Sequence, residues 1–288
     1  VQSDIRLFVL RADQGENMLP PLRDAESRAE RSPTQQELHE ILSDLIEKGF
    51  SKEALRLARI YHRKLAPSSI VDFAASIQRQ GQYDVSMRMA AQLTYDKNHN
   101  ISREGLELLY PQAFFNLMSD FTASNDLPLS IFYGLVRQES YFAPAVISHA
   151  GAVGLSQLMP ATMNEVARKI GYRNPDAKDP KTNLTIGSYY LRYLIDHRWT
   201  KNFAQALMAY NAGLGNIRKW KARFGSLNGL KFNNMIPILE TRNYVQKVSA
   251  GAVYYSVLYG WNEPAAVLQT VYPDDFPAQI AEAVGKHK

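Results

Sequence analysis

Glu139 has the type and setting needed for acid chemistry. From Leu127 the segment LPLSIFYGLVRQES predicts a helix that Asn125 or Asp126 can cap and whose first turn suits Pro128. Along it Ile131, Leu135 and Glu139 fall four apart on one face, so a carboxyl ends an apolar stripe. Burial disfavours the charged form, and so does the negative end of the helix macrodipole, and both raise the pKa. A glutamic acid kept protonated in this way can act as a general acid. Ser140, directly after it, is placed to help orient it. The loop that follows carries Gly151 and Gly154, which permit a sharp turn and a close backbone approach, before Pro160 opens the next helix. Such a loop would wall a substrate groove. A lone glutamate at a helix end is more often solvated, so the assignment depends on what accompanies it.

Three further motifs accompany it: G-A-V-G-L-S-Q-L-M-P from Gly151, A-Y-N-A-G at 209 to 213 and E-T-R-N-Y at 240 to 244. In this order the four motifs resemble the soluble-type lytic transglycosylases, over about residues 105 to 260. The resemblance implies a goose-lysozyme-like α fold that cleaves the MurNAc to GlcNAc bond of peptidoglycan. It matches Glu139 to the catalytic acid and carries Gln157, Met159, Tyr210 and Asn211 over as substrate-site residues. It places Glu240 and Tyr244 near the active site in a positioning role. Read without it, Tyr210 is an amphipathic core-edge residue, and Glu240 and Tyr244 are an exposed glutamate and a core tyrosine. The chain departs from the family's usual GLMQ by carrying Ser156, which predicts a groove floor that is more polar or roomier there.

The elements that must position these residues are helical, and the expected fold class is all-α. Residues 1 to 33, with a strand-like piece Ile5 to Leu10, read as an arm or linker. Residues 34 to 104 read as a helical-hairpin repeat region. Leu38, Ile41, Leu42, Leu45 and Ile46 form one stripe, Gly49 stops it, and Ser51 can cap a second helix. Two more helices follow at about 68 to 79 and 82 to 95. GFSKEALRLARIY from Gly49 and GQYDVSMRMAAQL from Gly81 repeat at an offset of 32, close to a helix-pair repeat, and such pairs bury their faces by stacking. Residues 105 to 264 read as the lysozyme-like domain. It opens on a helical lead from Ser102 to Thr122 and continues with helices at about 161 to 170, 183 to 198, 202 to 212 and 236 to 258. Residues 265 to 288 form a tail.

Composition sets the remaining limits. The chain has 288 residues, 45% of them hydrophobic, enough to bury a sizeable core. No apolar run reaches the roughly 18 to 20 residues needed to cross a bilayer. Val1 is not a start methionine, so an export signal or lipid anchor is expected to have been removed. Zero cysteines exclude disulfides and thiolate metal sites. The six histidines are scattered, without HExxH, so no metal and no cofactor is expected. A net charge of +5 and a pI near 9.2 favour anionic partners. The charges read as dispersed, without a nucleic-acid motif, so nucleic acid is not expected as a partner. The expected partners are peptidoglycan glycan strands, with cell-envelope proteins at the helical repeats, and the expected location is the periplasm or cell envelope.

A glycosidase ordinarily uses two carboxylates, and this sequence offers one convincing acid. Asp176 and Asp179 sit in N-P-D and D-P-K, which is turn chemistry. One carboxyl suffices if it protonates the leaving oxygen and then takes a proton from the C6 hydroxyl of the same MurNAc, whose internal attack yields a 1,6-anhydro product. The alternatives are a hydrolytic muramidase of the same fold and a catalytically idle glycan-binding or assembly scaffold.

Overall fold

The computed structural model describes residues 33–95, 100–200 and 202–276. The arm and its Ile5 to Leu10 piece lie outside the described residues, as do 277–288. Fourteen α-helices and two short 3-10 turns form among the described residues, with only isolated bridges in place of strands, so the class is all-α. The chain divides into two compact units, Val1–Pro111 and Gln112–Lys288.

In the first unit α1 (Gln35–Glu47) begins with a capping box between Thr34 and Glu37 and buries Leu38, Leu42 and Ile46. It is followed by α2 (Ser51–Ile60), α3 (Pro67–Arg79), α4 (Tyr83–Ala90) and α5 (Arg103–Leu109). Gly49 and Gly81 both have positive φ, 83° and 76°, with open space around them. It is therefore backbone conformation, not crowding, that calls for glycine at these two helix ends. Ser51 does not cap α2. Phe50 takes the cap position, and the buried Ser51 hydroxyl donates to Gln80 Oε1 at 3.4 Å while Gln80 Nε2 donates to the Ile46 carbonyl at 2.8 Å. The tie between the two helix pairs thus uses the side chain read as a cap.

The second unit contains α6 (Phe115–Ser124), α7 (Leu129–Ser140), α8 (Pro160–Lys169), α9 (Pro180–Ile195), α10 (Phe203–Ala212), α11 (Leu214–Phe224), α12 (Gly229–Met235), α13 (Leu239–Tyr259) and α14 (Pro264–Val271). The lead expected from Ser102 to Thr122 is broken. The helix α5 ends at Tyr110, and α6 starts only after Phe114, whose φ is 54°. Asn125 and Asp126 do not cap α7. Pro128, extended at φ −63° and ψ 120°, holds the cap position, and Asn125 instead ends α6 with its amide on the Phe121 carbonyl and on Ser188 Oγ. The segment read as a tail includes α14, which buries Val267 and Val271.

The core axis is α7, buried without interruption from Ser130 to Arg137. A helix polar on one side would not allow this. Here GLV and IFY put apolar or small groups all round. It packs against α13, and the crossing is close because both helices bring glycine to it. A Cβ on Gly134 would lie 2.5 Å from the Val248 carbonyl oxygen, and one on Gly251 would lie 3.3 Å from Gly134 Cα. This crossing sets the last turn of α7 beside the first turns of α13.

Candidate active site

Glu139 stands in the last turn of α7, which stops at Tyr141 in the left-handed region, φ 49°. Tyr244, in the second turn of α13, donates its hydroxyl to Glu139 Oε1 at 2.6 Å. Glu139 keeps a partly accessible surface, yet the protein packed around its carboxyl pushes the pKa up from 4.5 to about 8. Burial is the main cause, the Tyr244 hydrogen bond opposes it, and the negative charge of Glu240 adds to it. Glu240 itself is exposed in the first turn of α13. It acts through charge, since like charges brought close disfavour ionisation. Tyr244 and Tyr210 are also held well above their ordinary pKa, chiefly by burial and next by the Glu139 charge. Both phenols therefore stay protonated, as donors.

The glycine loop between α7 and α8 closes on itself. Ser148 N–H donates to the Ala152 carbonyl and Gly154 N–H to the Val146 carbonyl, and Val153 bridges both Ile147 and Leu158. Gln157 adopts φ 44°, a left-handed conformation rare for a side-chain-bearing residue, and Nε2 of its amide donates to the carbonyls of Gly154 at 2.8 Å and Val146 at 3.2 Å. Strain of this kind persists only where the surroundings fix it. Met159 occupies the cap position of α8 and is 43% exposed, an apolar side chain open to whatever lies in the groove.

The loop is clamped from α9. The buried Asn183 accepts Ser156 N–H at 2.7 Å and donates to the carbonyls of Val153 at 3.0 Å and Ala177 at 2.8 Å. Gly154 is obligatory beneath it, at φ 81°, because a Cβ there would meet Ala177 O at 2.2 Å. The Ser156 carbonyl accepts the Tyr210 hydroxyl at 2.8 Å, which ties α10 to the loop. Asn211, the next residue, accepts the Thr241 hydroxyl at 2.6 Å, which ties α10 to α13. Tyr210 and Asn211 therefore fasten the three walls together beside Glu139.

Ser140 does not touch Glu139. Its hydroxyl donates to the Val136 carbonyl and accepts Phe142 N–H, so it closes the helix end. Ser156 does not open the groove floor either. It is fully buried, its Oγ has no hydrogen-bond partner, and a Cβ on Gly187 would lie 2.3 Å from that oxygen. The small side chain fits the close approach of the loop to α9. Asp179 N-caps α9 by accepting Thr182 N–H, its pKa lowered by the Thr182 side chain and next by that N–H, and Asp176 accepts Lys178 N–H within its turn. Both carboxylates are occupied with loop structure, in line with their turn sequences.

Asn183, Gly187 and Thr241 were not singled out by sequence reasoning. Gly187, inside a helical pattern where glycine costs roughly 1 kcal/mol, was the available signal of close approach. A buried amide next to Leu184 and a threonine beside Glu240 carry no such mark. Among the described residues, no three His, Asp or Glu side chains gather in a way that could hold a metal ion.

Residues 117–233 match the family model described as Transglycosylase SLT domain. The chain is 36% identical over 160 residues to the soluble lytic murein transglycosylase of Escherichia coli strain K12, covering 54% of this chain and 25% of that protein. It is 32% identical over 163 residues to the putative soluble lytic murein transglycosylase of Haemophilus influenzae, with 55% and 27% covered. Among solved structures, the 70-kDa soluble lytic transglycosylase from Escherichia coli aligns with a TM-score of 0.64 at 24% identity, over 97% of this chain and 44% of that one. A complex of the 70-kDa enzyme with bulgecin A aligns at 0.65 and 25%, over 91% and 43%. The resemblance to soluble-type lytic transglycosylases is thus borne out, while the match spans only about a quarter of the length of these two curated relatives.

Proposed function

We propose that the protein is a peptidoglycan lytic transglycosylase that cleaves the MurNAc-β-1,4-GlcNAc bond with Glu139 as its sole acid and base, working in the bacterial cell envelope. The observation that carries this reading is the pKa of about 8 at Glu139 combined with the Tyr244 hydrogen bond to one of its oxygens. At neutral pH the carboxyl is mostly protonated. Since Oε1 accepts from Tyr244, the proton resides on Oε2, free to pass to the glycosidic oxygen.

Protonation breaks the bond between the MurNAc anomeric carbon and that oxygen, and the leaving GlcNAc takes the proton. The Glu139 carboxylate, still bonded to Tyr244, then accepts the proton of the MurNAc C6 hydroxyl as its oxygen closes on the anomeric carbon. Glu139 is protonated again, and no water is consumed. Asp176 and Asp179 are committed to turns, and Glu240, exposed, raises the Glu139 pKa without contacting it. None of these three carboxylates is thereby poised to activate water, whereas the tethered C6 hydroxyl enjoys a high effective concentration. Gln157, Met159, Tyr210 and Asn211 are assigned to the groove that holds the sugar, and Ser140 to the helix end that presents Glu139. The relatives' printed names, murein transglycosylases of bacteria, support the same substrate.

Purified sacculi digested in heavy-oxygen water decide the chemistry by mass spectrometry. Muropeptides ending in 1,6-anhydro-MurNAc without label are expected. Reducing ends carrying the heavy oxygen, with no anhydro species at early times, would refute the reading and establish a muramidase.

A further inference from the structure

From His197 to Leu239 the chain has seven Lys or Arg residues and not one Asp or Glu, so this stretch alone carries more positive charge than the whole protein's net +5. The charge is concentrated, where the motifs alone suggested dispersal. The helix α11 turns Ile217 and Trp220 inward and leaves Arg218, Lys219 and Arg223 exposed. Trp199 stands beside it with the guanidinium of Arg198 over its ring at 5.1 Å and that of Arg218 at 5.3 Å. The tryptophan is anchored on both sides of its backbone: its N–H donates to His197 Nδ1 at 3.2 Å, and its carbonyl accepts Lys221 Nζ at 3.0 Å. Among the described residues, Arg198, Arg218 and Lys219 meet no carboxylate. Lys48, Arg103, Lys169 and Arg192 each pair with an acid four residues away. Uncompensated like charge on one face opposes itself unless a polyanion covers it.

We propose that Arg198, Trp199, Arg218 and Lys219 form an anchoring surface for the carboxylates of peptidoglycan stem peptides, next to the groove that cuts the glycan. This rests on the proposed reading of Glu139. Two features favour this occupant. The fork of a guanidinium fits a carboxylate, and an indole that fixes two of them preorganises the fit. The surface is also linked to the site by a run of ring contacts, from Tyr210 to Tyr190 at 5.3 Å, Tyr193 at 6.3 Å, His197 at 5.6 Å and Trp199 at 5.2 Å. A strand seated at Glu139 carries its next peptides across this face, so binding there raises affinity for the polymer without touching the reacting bond.

The test uses the full chain with Arg198→Gln, Arg218→Gln and Lys219→Gln combined. All three are neutral replacements, and Arg198, Arg218 and Lys219 are exposed. Pelleting with sacculi, in a Glu139→Gln background that prevents turnover, compares intact sacculi with glycan stripped of peptides by an amidase. About tenfold weaker binding to intact sacculi at low salt is expected, with a flatter salt dependence and no change on stripped glycan. With Glu139 present, KM for intact sacculi should rise while kcat holds. Undiminished binding to intact sacculi overturns the proposal, and so does an equal loss on stripped glycan. Loss of binding to phosphatidylglycerol vesicles with sacculi binding unchanged also overturns it and assigns the face to an acidic lipid surface. If the wild type cleaves no glycan but the peptide-dependent binding holds, the proposed activity fails and the anchoring surface stands.

Discussion

Replacing Glu139 with glutamine should make the protein more stable as well as inactive, and the gain should depend on pH in a defined way. The folded state holds this carboxyl near pKa 8 against an ordinary 4.5. A carboxyl with a raised pKa favours the protonated form in the folded state. It costs nothing below the unfolded value, destabilises progressively as pH rises through 4.5, and reaches its full cost only above about 8. Each pH unit between the two values is worth about 1.4 kcal/mol, so the cost at pH 7 is roughly 3 kcal/mol. Partial solvent access and relaxation around the carboxylate reduce this, and about 2 kcal/mol is the expected gain. Glutamine keeps the shape and can still accept the Tyr244 hydroxyl, so little else changes. Denaturant unfolding of both proteins from pH 4 to pH 8 reads the difference, which should be near zero at pH 4 and grow steadily above pH 5. A difference that stays flat across this range would refute the burial argument, whatever the mutant's activity. Turnover of sacculi should fall by roughly 10² to 10⁴ or more, as expected when a general acid is lost.

Tyr244→Phe removes the one contact that lowers the Glu139 pKa. The alkaline limb of the pH-rate profile should move upward, and kcat should drop by about tenfold as the carboxyl loses its orientation. A limb that moves downward would contradict the assigned cause. Gly134→Ala places a methyl 2.5 Å from the Val248 carbonyl oxygen at the crossing of α7 and α13. It should destabilise by about 1 to 3 kcal/mol, read by thermal unfolding, and separate Glu139 from Tyr244. A neutral outcome would show that the two helices can part without cost.

The sequence by itself determined the class, most of the helices and the candidate acid, because each is a local signal, while α11 and α12, between Gly213 and Ile236, were not read from it. Apolar residues at intervals of three and four specify helices wherever they occur, and Gly49, Gly81 and Gly213 mark ends that need no knowledge of the neighbours. Glu139 at the end of a buried stripe is legible for the same reason, and the motifs around it added the resemblance. What only the tertiary structure decided concerns groups whose partners are distant in the chain. Ser51 and Asn125 have the chemistry of caps, yet the first donates to Gln80 and the second ends the preceding helix, because a side chain satisfies whichever polar group the fold brings nearest. Ser156 was read as part of a groove, but the missing Cβ of Gly187 lets α9 cover it. The hydrogen bond that Glu139 accepts comes from a tyrosine 105 residues away, across a helix crossing that two glycines keep close. Periodicity tells which face of a helix is buried, but a hydrogen bond between two faces exists only once their crossing is fixed.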